Sequence, residues 1–365
     1  MRKLASVQRI LELNPIPNAD KIMCAKVQGW ELVVKKDEFK VGDLCVYIEI
    51  DSIVPNKPEF EFLRDRKFRV RTIKLRKQIS QGLALPLSIL PKGDYKEEDD
   101  VTEILGVKKY DPEGDKERAL IETKMTKSKN PLHKMLGQYK WYRDLFMKGK
   151  DKNFPSFISK TDETRIQNMP WVCEREKNTL FSVTEKIDGQ SATYFLKKNK
   201  LKGLNRLFGK KYTFGVCSRN IYLYNPNNSS YWTIARQLHI EDILKKLIGK
   251  EEFVVLQGEI TGEGIQGNKY KVTGYDFHAF NLKYPTKQIS SGQAKDILNA
   301  YDIKFVPILD EQFKLKATVS EMVEYAKSQK STLLNILREG VVIRNNEKGL
   351  SFKVINPEFL LKNED

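Results

Sequence analysis

The sequence predicts an α+β protein in which a small β-barrel precedes a larger domain rich in antiparallel sheet. Three observations lead there. Up to about residue 90 the chain reads as short β-like runs with turn signals and little helix; over 106–152 the apolar periodicity fades; beyond that, strands alternate with amphipathic helical patterns. The irregular spacing of those helices suits an α+β domain better than a regular parallel βαβ array.

The barrel is carried by ASVQRILEL, KIMCAKVQGWELVVKK, DLCVYIEIDSIV, FRVRTIKLR and GLALPL, with NPIPNAD, KVGD and VPNKPEF as turns. In a basic protein such a barrel is expected to be an OB-fold, placed here at 1–105, a surface suited to a nucleic-acid strand. Residues 106–152 read as a basic linker that includes LHKMLGQYKWYRDLFMKGKDK, expected to form a short docking helix. The second domain, 153–365, has strands in LFSVTEK, TFGVCSR, FVVLQGEI, YDFHAFNL, GVVIRNN and LSFKVIN. Its helices are expected in WTIARQLHIEDILKKLIG, SSGQAKDILNAY and TVSEMVEYAKSQ.

A formal charge of +16 and a pI of about 9.4 favour a polyanionic partner, because each phosphate neutralised by Lys or Arg releases a counterion. No apolar run approaches a membrane span, and MRKLASVQRILELNP lacks a signal-peptide core, so an intracellular protein, cytoplasmic or nuclear, is expected. Cys24, Cys45, Cys173 and Cys217 lie far apart, as do His133, His239 and His278, which argues against a zinc site or disulfide framework. Any metal is expected to be a hard cation on carboxylates and phosphate oxygens.

Gly262, Gly264 and Gly267 in ITGEGIQGN fit G-x-G-x-x-G, but a dinucleotide fold needs a helix there and NKYKVTGYDFHAFNL reads as strand. The companion motifs of a kinase are missing, and Asn268 stands where a Walker A lysine belongs. In FSVTEKIDGQSATYF, Asp188-Gly189 is open to a plain reading as a hairpin turn with φ > 0 at the glycine, which leaves Lys186 unexplained.

Downstream, Ser218 and Arg219 lie in VCSRN, Glu259 closes FVVLQGE, Phe280 lies in FHAFNL, Glu339 precedes GVVIR and Lys353 lies in SFKVIN. This order resembles the covalent nucleotidyltransferases: DNA ligases, RNA ligases and mRNA capping enzymes. The resemblance implies an antiparallel, ATP-grasp-like ligase domain in which the Lys186 amine attacks the α-phosphate of a nucleotide, giving lysyl-AMP and pyrophosphate. Lys353 and Arg219 are then expected to act in catalysis on the α-phosphate. Nucleotide binding falls to Lys186, Glu185 through its backbone, Arg165, Arg219, Phe280, Glu259, Glu339 and Lys353. Asp188, Glu259 and Glu339 are expected to hold Mg2+ or Mn2+, partly through water.

GEITGEGIQGNKY and FPSFISKTDETRIQN resemble segments of RNA ligases that seal nicks, the latter placing Arg165 near the nucleotide phosphates. Gln190 and Ser191 follow K-x-D-G, where DNA ligases and capping enzymes usually carry an arginine. Little sequence follows SFKVINPEFLLKNED, so no C-terminal OB domain is expected. The whole resembles RNA ligase family 5, with an OB module in front, and implies an ATP-dependent, monomeric RNA ligase. Its expected partner is a nicked RNA duplex with an RNA 3′-OH end. Ser351 departs from the pattern, since a lysine often occupies that position of the last motif. The alternatives are a capping guanylyltransferase, an ATP-dependent DNA ligase and, because PIPNADKIMCAKV is similar to OB modules that bind tRNA, a non-enzymatic RNA-binding protein. On the ligase reading, residues before about Phe154 are expected to serve nick sealing more than self-adenylylation.

Overall fold

Strand β1 (Ala5–Pro15) is long enough to serve two partners. Its first half pairs antiparallel with β4 (Leu44–Ile48), Val7 opposite Val46. After an irregularity between Ile10 and Glu12 its second half pairs with β2 (Ile22–Val27), Leu13 opposite Ala25. A bulge bends a strand and raises its twist, which lets β1 turn the corner of a barrel. With β3 (Trp30–Lys35) and β9 (Leu83–Pro86) the sheet has five strands in the order β3-β2-β1-β4-β9. The computed structural model describes residues 3–111, 135–136, 152–200, 209–223 and 228–363.

FRVRTIKLR is not one strand. β6 (Arg69–Val70) joins β5 (Ser52–Ile53) and β10 (Lys108–Lys109) in a small sheet, while β7 (Ile73–Leu75) turns back through Arg76 and Lys77 into β8 (Gln78–Ser80). The barrel's strands thus run on to residue 109, past the expected boundary at 105. Most of the expected linker, including its helix apart from Met135 and Leu136, lies outside the described residues.

Two sheets build the second domain. The six-stranded one comprises β11 (Lys152–Asn153), β14 (Gln190–Lys198), β15 (Tyr212–Cys217), β16 (Ile221–Tyr222), β17 (Phe253–Gly262) and β18 (Tyr275–Lys283), in the order β11-β16-β15-β14-β17-β18. The five-stranded one comprises β12 (Thr164–Arg165), β13 (Leu180–Lys186), β19 (Ile308–Lys314), β20 (Gly340–Asn345) and β21 (Leu350–Ile355), in the order β12-β21-β20-β13-β19. All pairs are antiparallel except β12 with β21.

Helices cover one face of each sheet. Ser230–Gln237, Ile240–Leu247 and Ser291–Asn299 send Tyr231, Ile234, Leu244 and Leu298 into a core with Tyr194, Leu256 and Phe277 of the six-stranded sheet. Helix Val319–Lys327 sends Val319, Met322 and Ala326 against Phe181, Val183, Ile343 and Phe352 of the other. Period-2 alternation therefore turns Ser182, Thr184 and Lys186 of β13 to the opposite face. The pattern WTIARQLHIEDILKKLIG, continuous in sequence, is broken at His239 by a left-handed φ of 47°. The C-terminal helix Pro357–Asn363 had no signal in the pattern.

Ile355 and Leu360 pack into the barrel cluster with Trp30, Leu32 and Tyr47. Polar contacts lie beside this apolar seam: the Trp30 indole N–H donates to Asn168 at 2.6 Å, Asn168 donates to Glu49 at 2.7 Å, and Arg165 donates to Asp51 at 2.7 Å. Asn168→Ala would strand the buried indole N–H and is expected to destabilise the protein by about 1–3 kcal/mol. Urea unfolding monitored by tryptophan fluorescence checks this, and an unchanged midpoint would show that the contact adds nothing to the junction.

Candidate active site

Between the faces of the two sheets that turn away from these helices lies a cleft of about 230 Å³ lined by Lys186, Asp188, Arg219, Glu259, Phe280, Glu339 and Lys353, among others. The strand register assembles it. Lys186 ends β13 opposite Gly340, so Glu339, one residue before β20, arrives beside it, and Lys186 Nζ lies 2.6 Å from Glu339 Oε1. On the facing sheet Ser191 of β14 pairs with Glu259 of β17.

Asp188-Gly189 is the crossover between the two sheets and not a hairpin turn, because β13 and β14 belong to different sheets. Gly189 is absent from the positive-φ glycines; what requires glycine is space, since a Cβ there would meet Ile260 O at 2.4 Å and Glu259 Cγ at 2.8 Å. That close approach presses K-x-D-G onto β17. The Asp188 backbone N–H donates to Tyr270 Oη at 3.0 Å and its carboxylate pairs with Lys269. Both partners come from the glycine-rich segment after β17. That segment contains no pyrophosphate-binding helix, only the short 3-10 turn Gln266–Asn268 before β18.

Three carboxylates surround one ammonium. Burial pulls the Lys186 pKa down, but Glu339, Glu259 and Asp188 outweigh it and the net shift is upward. Burial pushes Glu259 up to about 8; Lys186 opposes this, while Glu339 and Asp188 reinforce it. Glu339 Oε2 is buried and has no hydrogen-bond partner among the described residues. Among the described residues no three His, Cys, Asp or Glu side chains form a ready-made metal cage. An orphaned carboxylate oxygen beside two further carboxylates nonetheless fits a hard cation bound largely through water.

A second group of charges lines the same cleft. Asp162 accepts from Arg219 at 3.0 Å, from Lys353 at 3.1 Å and from Lys109 of the barrel at 2.6 Å. Burial works against its charge, yet Lys353, Arg219 and Lys109 hold it well below the ordinary carboxylate range. Glu163 beside it pairs with Arg344 at 3.4 Å and accepts from Ser351, the residue at the departure noted in the last motif. Phe280, Val306 and Val342 give the cleft apolar wall, and the Arg344 guanidinium stands 5.5 Å from the Phe280 ring.

Glu185 presents to the cleft the main chain that the expectation named, whereas Arg165 is placed differently. Glu185 meets the cleft by its main chain only: its carboxylate accepts from Thr332 N at 2.9 Å and Thr332 Oγ1 at 2.8 Å, with Arg338 at 3.9 Å. Arg165 does not line the cleft; it is 6% exposed at the barrel junction, bonded to Asp51 and 5.9 Å from the Trp30 ring. Sequence reasoning missed Asp162, Glu163 and Lys269, although FPSFISKTDETRIQN and GEITGEGIQGNKY had been singled out. Lys109, Tyr110 and Asp111 carried no signal, since they fall where the pattern fades into a linker, yet Lys109 pairs with Asp162 and the other two line the cleft.

An RNA ligase family model matches residues 179–355 and an OB-fold domain model residues 4–87. No curated protein matches the chain. Among solved structures, a lysine-to-methionine mutant of the Naegleria gruberi RNA ligase with AMP and Mn is 32% identical over 100% of both chains, with a TM-score of 0.79. The Naegleria gruberi RNA ligase with PPi is 33% identical over 100% of both chains, also with a TM-score of 0.79. An arginine-to-alanine mutant with ATP and Mn is 31% identical over 100% of this chain and 99% of that one, with a TM-score of 0.78. Likeness at this identity over the full length, with the Lys186 constellation in one cleft, makes the chain a member of the RNA ligase family, an enzyme of the covalent nucleotidyl mechanism carrying an N-terminal OB-fold.

Proposed function

We propose that this RNA ligase uses ATP and a divalent cation to adenylylate Lys186, and then joins 3′-OH and 5′-phosphate ends at nicks in duplex RNA. The observation that carries the reading is the Lys186 amine held 2.6 Å from Glu339 in a cleft that also gathers Arg219, Lys353 and Lys109 on one carboxylate.

The neutral Lys186 amine attacks the α-phosphorus; a P–N bond forms, the P–O bond to the β-phosphate breaks and pyrophosphate leaves. The amine must first lose a proton that three carboxylates favour. Asp188, Glu259 and Glu339 would hold a divalent cation, whose positive charge would offset theirs and weaken their hold on that proton. Asp162 keeps Arg219, Lys353 and Lys109 gathered so that phosphate oxygens can take its place as their partner, and the cations then stabilise charge developing on phosphorus. Phe280 stacks the purine while main-chain groups at Glu185 read its edge. The adenylyl group next passes to the RNA 5′-phosphate, and the 3′-OH displaces AMP.

ATP labelled at the α-phosphate is expected to leave label on denatured protein and GTP is not; equal adduct from GTP would favour a capping activity. Lys186→Ala and Lys186→Arg are both expected to abolish the adduct, the latter because a guanidinium offers no neutral amine at usable pH. Retained label in either variant would identify another nucleophile.

The metal reading has a second readout. With Glu259 raised from 4.5 to about 8 in the folded state, its proton stabilises the metal-free fold at low pH, and that stability is lost as pH climbs through this window. In chelator, Glu259→Gln is therefore expected to lose less thermal stability than wild type between about pH 5 and about pH 8. Added Mn2+ should stabilise the wild type at the upper pH more than the variant, and equal stabilisation of both would remove Glu259 from the metal site.

For the substrate, a duplex nick with an RNA 3′-OH end is expected to be sealed and an all-DNA nick poorly or not at all. Comparable sealing of both would make the enzyme indifferent to the 2′-OH and reopen the DNA ligase alternative.

A further inference from the structure

The basic run RDRKFRVRTIKLRK, residues 64–77, is only partly used by the fold. Arg64 pairs with Glu61, and Arg69 pairs with Asp51 and stacks 3.8 Å from the ring of Tyr110, a residue of the cleft wall. The side chains of Lys74, Arg76 and Lys77 are exposed and have no hydrogen-bond or ion-pair partner among the described residues.

These three charges sit on the β7–β8 hairpin. Ile73 pairs with Ser80, Lys74 with Ile79 and Leu75 with Gln78, leaving Arg76-Lys77 as a two-residue loop with φ of 47° and 70°. Positive φ at both central residues is the type I′ geometry, for which Asn-Gly is favoured because a Cβ is strained there. Two long cations therefore occupy a turn whose backbone prefers small residues, a local cost that points to a use for the charge. The base of the hairpin is fixed: the Val33 N–H donates to Ser80 Oγ at 2.9 Å and Gln78 donates to Glu31 at 3.2 Å. From Arg69, which stacks on Tyr110 of the cleft wall, Arg76 at the tip lies no farther than about 25 Å along the chain. In that span a nucleic-acid duplex carries on the order of fifteen phosphates.

We propose that the hairpin Ile73–Ser80 clamps the phosphate backbone of the RNA duplex flanking the nick, with Lys74, Arg76 and Lys77 on phosphates. This rests on the nick-sealing reading above. Unlike a base-reading contact, such a clamp positions the duplex without sequence preference.

The test is the full-length double variant Arg76→Asn, Lys77→Gly, which installs the favoured turn pair and removes two charges. Its melting temperature is expected to be unchanged or higher, and its Lys186 adenylylation unchanged. Affinity for a nicked RNA duplex should fall roughly tenfold near 0.15 M salt, and the slope of log affinity against log salt should shrink by about 2. Lys77→Arg, which keeps the charge, should bind as wild type does. Unchanged affinity and slope in the double variant, with the wild type still sealing nicks, would overturn the clamp and leave the nick-sealing reading intact. Loss of adenylylation in the double variant would equally overturn it, by tying the hairpin to the active cleft. A wild type that adenylylates Lys186 yet neither binds nor seals the nicked duplex would remove the nick-sealing reading itself, and an acidic protein partner would become the better occupant of the hairpin.

Discussion

The ion pair between Lys186 and Glu339 is the contact around which the cleft is organised. One ammonium among three carboxylates is a stable resting arrangement and a poor nucleophile, because every neighbouring negative charge favours the protonated amine. On the proposed mechanism the same carboxylates that hold the proton would attract a cation able to relax that hold. By that mechanism such a site stays inert until its charge is rebalanced, which would suit a residue that must react with one phosphorus atom and no other electrophile.

That balance depends on sheet register. Lys186 and Glu339 meet because β13 and β20 pair with Lys186 opposite Gly340, and Glu259 joins them because Gly189 lets the crossover lie against β17. A side chain at Gly189 would push the two sheets apart where the charges converge, and one at Gly340 would run into Val354 O at 2.2 Å. The glycine of K-x-D-G serves the chemistry through distance, without contributing a chemical group.

The barrel is not a passenger. It shares an apolar seam with Ile355 and Leu360, binds Arg165 through Asp51, and sends Lys109 to Asp162 in the cleft. One carboxylate thereby gathers cations from both domains. Charges left partly buried without such a partner would be costly, and Asp162 keeps these three cations paired.

Much of this was legible in the sequence. The fold class and the order of chemical elements are local properties: strand alternation assigns Lys186 and Thr184 to one face of β13 and Phe181 and Val183 to the other whatever lies beyond. Residue type then restricts the chemistry, since K-x-D-G is followed in order by Arg219, Glu259, Phe280, Glu339 and Lys353, a succession that Lys186 and Asp-Gly alone do not specify. Tertiary structure alone decided the rest. Arg165 turns to Asp51, 114 residues away in the chain, and Lys109 reaches Asp162 across 53 residues. FRVRTIKLR splits between two sheets, and Asp188-Gly189 crosses from one sheet to another where a short-range signal suggested a hairpin. The physical reason is common to all four: each outcome depends on which distant surface offers the opposite charge, the free strand edge or the close backbone, and no periodicity within a single segment carries that information.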